Sequence, residues 1–438
     1  LDSISGLLDH DMKFYEFYRL IASLNSSIRC AHSFVIPEKE FEPYVFNKAK
    51  SIPFYLYPVG EQMIVLFNGT NDERIKPGSE LMAINGKSMK EIKEQMMSLF
   101  WADGYNLSGR KQVLEGTIFS AFYYAFIDQS DSIELTFKNE IDKELTIKVA
   151  SQTFAQTQKM FNKNPVNKAV LKAYKNTPKK DWYFKTLKEV DETAYLRING
   201  FGHKKAISNE SSAIIMKDFM TDVIDQVNKK EITNLILDLR ENKGGWGAMV
   251  LELYKFFTNS DKEFEFYGDG FAVTNDTSYL KYSDLNAVDI ASLDEELIPQ
   301  EDGTFLVNPE FSKTSTEQIP YQKRFKGQLY ILVNRGTGSA ASEFTAVAKS
   351  NKIGVIIGEE TGGAYEGDNS VSFLHFELPN SKMYLRTPLV SGNLAVKPLA
   401  EKGKGVIPDF EVDFRKEDLL IRYDRQLEFV KKLIQESK

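Results

Sequence analysis

Three short segments carry residues whose types and spacing suit acyl-transfer chemistry. The first runs Val333-Asn334-Arg335-Gly336-Thr337-Gly338-Ser339-Ala340-Ala341-Ser342-Glu343-Phe344. An apolar run from Gln328 to Asn334 precedes it, and a helical pattern from about Ala341 to Lys349 follows. A serine here stands at the carboxyl end of a buried strand, where open α/β sheets bind ligands. It also faces the free N–H groups of a helix start, which stabilise developing negative charge. The same position suits a helix N-cap, and the segment alone fits Ser339 or Ser342 in either role. The second segment is Leu235-Ile236-Leu237-Asp238-Leu239-Arg240-Glu241-Asn242-Lys243-Gly244-Gly245-Trp246. Adjacent glycines before a helix can aim backbone N–H groups at an anion, as an oxyanion hole requires. A tight strand-to-helix turn uses glycine as well. The third is Ile28-Arg29-Cys30-Ala31-His32-Ser33-Phe34. One imidazole suffices for a general base, although a solitary histidine also serves structure.

The elements that must position these residues alternate from about residue 191 onward. Ala194 to Ile198, Asn234 to Arg240, Gln328 to Asn334 and Ile353 to Gly358 read as strands. The second and third are near-continuous apolar runs, as in strands buried on both faces. Helical patterns lie between them, so the expectation is a largely parallel α/β core over 191–438. Residues 260–325 are polar and rich in Asp, Asn and Ser, and read as a loop-dominated insertion. Residues 1–50 read as a helical segment, with Phe14, Phe17, Tyr18, Ile21 and Leu24 at helical spacing. Residues 51–152 change to short strands around an aromatic, helical insertion at 95–130. Residues 153–190 form a lysine-rich connector, which reads as solvated surface.

Composition narrows the function classes. The 438 residues predict about three domains. With 55 basic and 62 acidic residues the net charge is -7, which argues against nucleic acid as the main partner. Cys30 is the single cysteine and there are four histidines, so a disulfide or a cysteine-based metal site is not expected. No apolar run reaches the roughly 18 residues of a membrane span. The sequence opens on Leu1 without a secretory signal, which fits a chain from which a leader was removed. The lone cysteine suits an exported or a cytoplasmic protein.

Four motifs occur in fixed order: Asp-Leu-Arg-x-Asn-x-Gly-Gly, Thr-x-Ser-Ala-Ala-x-Glu-Phe, Ile-Gly-Glu-Glu-Thr-Gly-Gly at 357–363, and Gly-Val-Ile-Pro-Asp at 405–409. Together they resemble the C-terminal-processing, or tail-specific, serine peptidases over roughly residues 28–414. The Lys76-Pro77-Gly78 to Asn85-Gly86 stretch resembles a PDZ domain, which holds a peptide as an added strand. The resemblance implies a crotonase- and Clp-protease-like core, a polypeptide substrate engaged through its C-terminal tail, no cofactor or metal, and export to the periplasm or cell surface. It leaves the oligomeric state open.

Carried over residue by residue, the resemblance makes Ser339 the nucleophile. Ala340 and either Gly244 or Gly245 then supply the oxyanion amides. One branch of the family uses a lysine three residues after the Gly-Glu-x-Thr threonine. Here that threonine is Thr361 and the position holds Ala364, so a serine–lysine dyad is excluded. The branch resembling the tricorn core protease uses an early histidine and a late glutamate. These positions fall on His32, which Ser33 follows, and on Glu401, with Glu366 in reserve, and the glutamate is expected to act directly or through a neighbouring hydroxyl. Two other readings remain: a peptide-binding protein that has lost catalysis, and a crotonase-like acyl-thioester enzyme, whose oxyanion donors are alike.

Overall fold

The computed structural model describes residues 2–8, 10–37, 44, 47–139, 141, 143–175, 182–272, 278–284, 296–308, 317–370 and 373–437. Its organising element is a six-stranded sheet in the order Trp182–Thr186, Thr193–Ile198, Asn234–Asp238, Gln328–Val333, Val355–Gly358, Phe410–Glu411. The first pair is antiparallel and the others run parallel. The apolar strands Asn234–Asp238 and Gln328–Val333 lie at its centre, in the register Leu237 opposite Ile331. Helices Asn209–Lys229, Gly247–Lys255 and Ala340–Ser350 cover one face, burying Met216, Met220, Met249, Phe344 and Val347. Helix Arg425–Glu436 covers the other, packing Val430 and Ile434 on Ile236, Leu332 and Ile357. This is the α/β core that the alternating pattern predicted.

A second body is antiparallel, with strands Phe54–Val59, Gln62–Asn68, Glu80–Ile84, Ser132–Lys138 and Glu144–Ala150 in that order. Asn85 and Gly86 turn the chain with φ of 47° and 75°, the positive values an Asn-Gly hairpin needs. Helices Met89–Leu99 and Gly116–Phe126 pack Ile92, Met96, Phe119 and Tyr123 on this sheet.

Three expectations change. The connector holds helices Phe154–Lys163 and Lys168–Tyr174 and ends in the edge strand Trp182–Thr186 of the main sheet. The core therefore begins about ten residues before 191. Three consecutive aromatic side chains, Trp182, Tyr183 and Phe184, lie on that strand, and the surrounding lysines masked it; Lys179 and Lys180 lie outside the described residues. The insertion at 260–325 contains strands Tyr267–Ala272, Leu297–Pro299 and Phe305–Val307, which join Ser391–Leu394 and Gly367–Asp368 in a further sheet. Residues 273–277, 285–295 and 309–316 of it lie outside the described residues. The amino-terminal segment holds helix Phe14–Ser27, but then forms strand Phe34–Ile36, which pairs with Tyr384–Pro388 in the register Val35 opposite Leu385. Among the described residues no helix is long and apolar enough to cross a membrane.

The ends of the central strands are tied by a buried ionic cluster. Asp238 accepts Arg240 Nη2 at 2.6 Å and Tyr195 Oη at 2.5 Å, and pairs with Arg197 Nη1 at 2.7 Å. Arg240 also reaches Asp424 at 2.7 Å and Gln426 at 3.1 Å, binding the sheet to the carboxyl-terminal helix. Burial pushes the Asp238 carboxyl up, but Arg240 and Arg197 outweigh it and hold it well below the usual range. A depressed folded value contributes stability that is present above the unfolded value of about 3.9 and lost as pH falls below it. Asp238→Asn removes the carboxylate partner of Arg197 and leaves Arg240 with the carboxylate of Asp424 alone. We expect a loss of about 3–5 kcal/mol in urea unfolding at pH 7, and a shallower fall in stability below pH 4; an unchanged midpoint would refute this account.

Candidate active site

The Ser339 turn joins strand Gln328–Val333 to helix Ala340–Ser350. Ser339 has φ 48° and ψ -133°, a sparsely populated conformation for a residue with a side chain. Such a conformation costs about 1–3 kcal/mol and persists only where its surroundings enforce it. Here they do. Gly338 N–H donates to Asn242 O at 2.9 Å, and Gly362 N–H donates to Thr337 O at 2.8 Å. Thr337 Oγ1 donates to Leu239 O at 3.0 Å. The turn also presses against two glycines. A Cβ on Gly244 would lie 2.7 Å from Ser339 Cβ, and one on Gly363 would lie 2.6 Å from Ser342 Oγ. The Ile-Gly-Glu-Glu-Thr-Gly-Gly motif is thus a brace for the turn.

The two serines of the segment divide their roles. Ser342 Oγ donates to Thr337 O at 2.9 Å and accepts Gly363 N–H at 3.2 Å, so it is buried structure. Ser339 makes no capping bond. Its Oγ is 3.2 Å from His32 Nε2, across 307 positions of sequence.

The candidate oxyanion amides also separate. Gly244 N–H is donated to Asn242 Oδ1 at 2.9 Å, which withdraws it from that role. Gly245 and Ala340 N–H have no hydrogen-bond partner among the described residues. Gly245 is held at φ 137°, with Phe201 N–H donating to Gly244 O and Trp246 N–H to Phe201 O, both at 2.8 Å. The geometry therefore leaves Gly245 and Ala340 as the available pair.

His32 follows the helix Phe14–Ser27 and precedes the strand Phe34–Ile36, so both ends of its turn are anchored. Its side chain is 14 % exposed, with its ring stacked on Phe373. Nε2 faces Ser339, with Asp368 Oδ2 at 3.9 Å. Nδ1 is buried and has no partner.

Glu401 does not join this group. Its carboxylate is 80 % exposed and faces Lys404 Nζ at 3.9 Å. Ser33, the hydroxyl next to His32 in sequence, donates to Asn25 Oδ1 at 2.8 Å. The physical reason is the loop that precedes Gly405. Its backbone is turned so that Gly405 N–H and Val406 N–H bond Glu360 and Thr361, while residue 401 points to solvent. Glu366, the reserve, accepts Gly403 N–H at 3.3 Å and has no hydrogen bond to His32. Ala364 pairs with Gly405 and offers no proton acceptor.

The carboxyl groups that do gather here are Asp368, Glu343 and Asp103. Glu343 lies one helical turn after Ser339 and accepts Tyr267 Oη at 2.8 Å. Burial, reinforced by the charge of Asp368, pushes its carboxyl up to about 8, against the Tyr267 hydrogen bond. Asp103 is 7 % exposed and accepts Ala31 N–H at 2.7 Å. Of the three, only Glu343 lies within a motif, four residues after Ser339 on the same helix face. Asp103 and Asp368 carry no local signal, because tertiary folding alone brings their segments together. Among the described residues no group of three or more His, Cys, Asp or Glu side chains could hold a metal ion.

The model of peptidase family S41 matches residues 192–412. No curated protein matches the chain by sequence. Among solved structures, mature CPAF complexed with lactacystin aligns at a TM-score of 0.64 and 15% identity, covering 99% of this chain and 91% of that one. Mature CPAF alone gives 0.64 and 15%, with 99% and 90% covered. At this identity the likeness shows a shared fold.

The raised Glu343 carboxyl has a consequence for stability. A folded value above the unfolded one contributes stability that is complete below about pH 4.5 and is lost as pH rises towards 8. Asp103, pushed up to about 6, adds a loss of the same sign at lower pH. Glu343→Gln should therefore lose less stability than the parent between pH 5 and pH 8.5, measured as the change in urea midpoint. Equal losses in the two proteins would show that Glu343 titrates normally.

Proposed function

The chain belongs to peptidase family S41, and we propose that it is a serine endopeptidase that cleaves polypeptides through an acyl-enzyme on Ser339. The observation that carries this reading is the 3.2 Å approach of His32 Nε2 to Ser339 Oγ beside two free amides. Neutral His32 takes the Ser339 proton as Oγ attacks the peptide carbonyl carbon. The carbonyl oxygen becomes an oxyanion, held by Gly245 and Ala340 N–H. His32 then gives its proton to the departing amine as the C–N bond breaks. Water attacks the resulting ester with His32 again as base, releasing the acid and restoring Ser339. Asp368 Oδ2, 3.9 Å from Nε2, favours the imidazolium that forms in each step.

The antiparallel body of residues 51–152, similar in its turn–strand–turn sequence to a PDZ domain, is proposed to receive the tail of a polypeptide substrate along a sheet edge. Export to the periplasm or cell surface belongs to the same proposal and rests on the family resemblance.

Ser339→Ala should lower hydrolysis of an unfolded protein substrate by at least about 10³-fold. It should also abolish labelling by a serine-directed phosphonate, with an unchanged melting curve. Cleavage and labelling that survive in Ser339→Ala would overturn the nucleophile assignment.

A further inference from the structure

The mechanism leaves one nitrogen of His32 unexplained. If Nε2 is to accept the Ser339 proton, the resting imidazole must carry its own proton on Nδ1. That atom is buried without a partner. A buried N–H with no acceptor is unfavourable, and the opposite tautomer, with Nε2 protonated, is inactive as a base. Asp368 does not solve this. It faces Nε2, the same nitrogen as Ser339, so it can favour the imidazolium but cannot select the neutral tautomer.

A matching acceptor lies in the segment packed on the His32 turn. Asp103 Oδ1 takes the N–H of Ala31, the residue before His32, at 2.7 Å, and Gly104 N–H donates to Arg29 O at 2.8 Å. Residues 103 and 104 thus clasp residues 29–31 in two places. The other oxygen, Asp103 Oδ2, is buried with no partner. We propose that Asp103 is the positioning residue of the site: Oδ2 accepts the Nδ1–H of His32 through one bridging water and fixes the tautomer that presents the Nε2 lone pair to Ser339. The inference rests on the serine-peptidase reading above.

Charge points the same way. Burial and the Asp368 charge push the Asp103 carboxyl up to about 6, while Ala31 and Ala364 N–H and the charge of His32 pull it down. Above that pH it is a buried carboxylate, able to accept an imidazole N–H. The other groups facing the imidazole are Asp368 and the Ser339 hydroxyl, with Glu343 beyond Asp368. Glu366 Oε1 is also buried without a partner. Its other oxygen is bound to Gly403, and no hydrogen bond ties Glu366 to the His32 turn. It is the rival that the test must separate.

The test measures the rate of phosphonate labelling of Ser339 against pH in the full chain, for the parent, Asp103→Asn, Asp103→Glu and Glu366→Gln. Asparagine keeps an oxygen for Ala31 N–H but removes the charge. Asp103→Asn should label about 10²-fold more slowly, with the acid limb moved to lower pH by about one unit through loss of the neighbouring negative charge. Asp103→Glu should recover at least about tenfold of that loss. Parent rate and profile in Asp103→Asn, or the profile shift appearing in Glu366→Gln instead, would overturn the proposal. Should Asp103→Asn fail to fold, imidazole ¹⁵N spectra of the parent decide the point. The proposal requires Nδ1 protonated and Nε2 bare above pH 7, and the reverse tautomer overturns it. A parent that never labels at Ser339 would sink the peptidase reading, while the ¹⁵N spectra would still test Asp103.

Discussion

The positive φ of Ser339 is the constraint around which the rest of the molecule is arranged. A chain leaving a buried parallel strand can enter a helix by several turns, but only a sharp one leaves a hydroxyl at the top of the sheet with helix-start amides beside it. That turn is unfavourable in isolation. It is held here by bonds from two segments: Asn242 and Leu239 after strand Asn234–Asp238, and Gly362 and Gly363 after strand Val355–Gly358. The glycines at 244 and 363 are required because a Cβ at either would meet the turn at under 3 Å. The motifs that look like a catalytic signature are thus, for the most part, the supports of a strained backbone.

The base has a different origin. His32 belongs to a segment outside the main sheet and comes to Ser339 because the chain on both sides of it is tied down. Ser26 Oγ donates to Phe100 O at 3.0 Å, Ala31 to Asp103, and Phe34–Ile36 adds a strand to the hairpin of Phe373–Glu377 and Tyr384–Pro388. Fixing such a long-range contact costs chain entropy, which the apolar cluster of Tyr18, Ala22, Val35, Phe126 and Met383 offsets. The two halves of the site therefore depend on two separate hydrophobic clusters.

Much of the core was legible because its strands are buried on both faces and read as unbroken apolar runs. Pro77-Gly78 and Asn85-Gly86 likewise announce the strand between them. The strand Trp182–Thr186 was hidden by lysines, since its aromatic run Trp182-Tyr183-Phe184 is only three residues long. Strand Phe34–Ile36 is too short to show a period. At the site, motif order alone linked residues 32 and 339, and order carries no distances. The same limit misdirected Glu401, where spacing to a glycine motif says nothing about which way a side chain leaves the backbone. Asp103 sits in Trp101-Ala102-Asp103-Gly104, a polar turn between helices, and nothing local distinguishes it from any other loop aspartate.

The acidic character of the site follows from what a histidine base needs. Each chemical step creates an imidazolium in a partly buried place, where an uncompensated charge is expensive. Carboxylates nearby lower that cost, but each is itself destabilised by burial and by the others. The molecule resolves this by letting the groups titrate apart. Glu343, the most deeply enclosed, is pushed up to about 8 and remains largely protonated at neutral pH, hydrogen-bonded to Tyr267. Asp103 is pushed up only to about 6, because two backbone N–H groups and His32 oppose its burial. A proton parked on Glu343 removes one buried negative charge from beside Asp368. A site with the same three carboxyls but a better-solvated Glu343 would repel its own charges and hold the histidine less firmly.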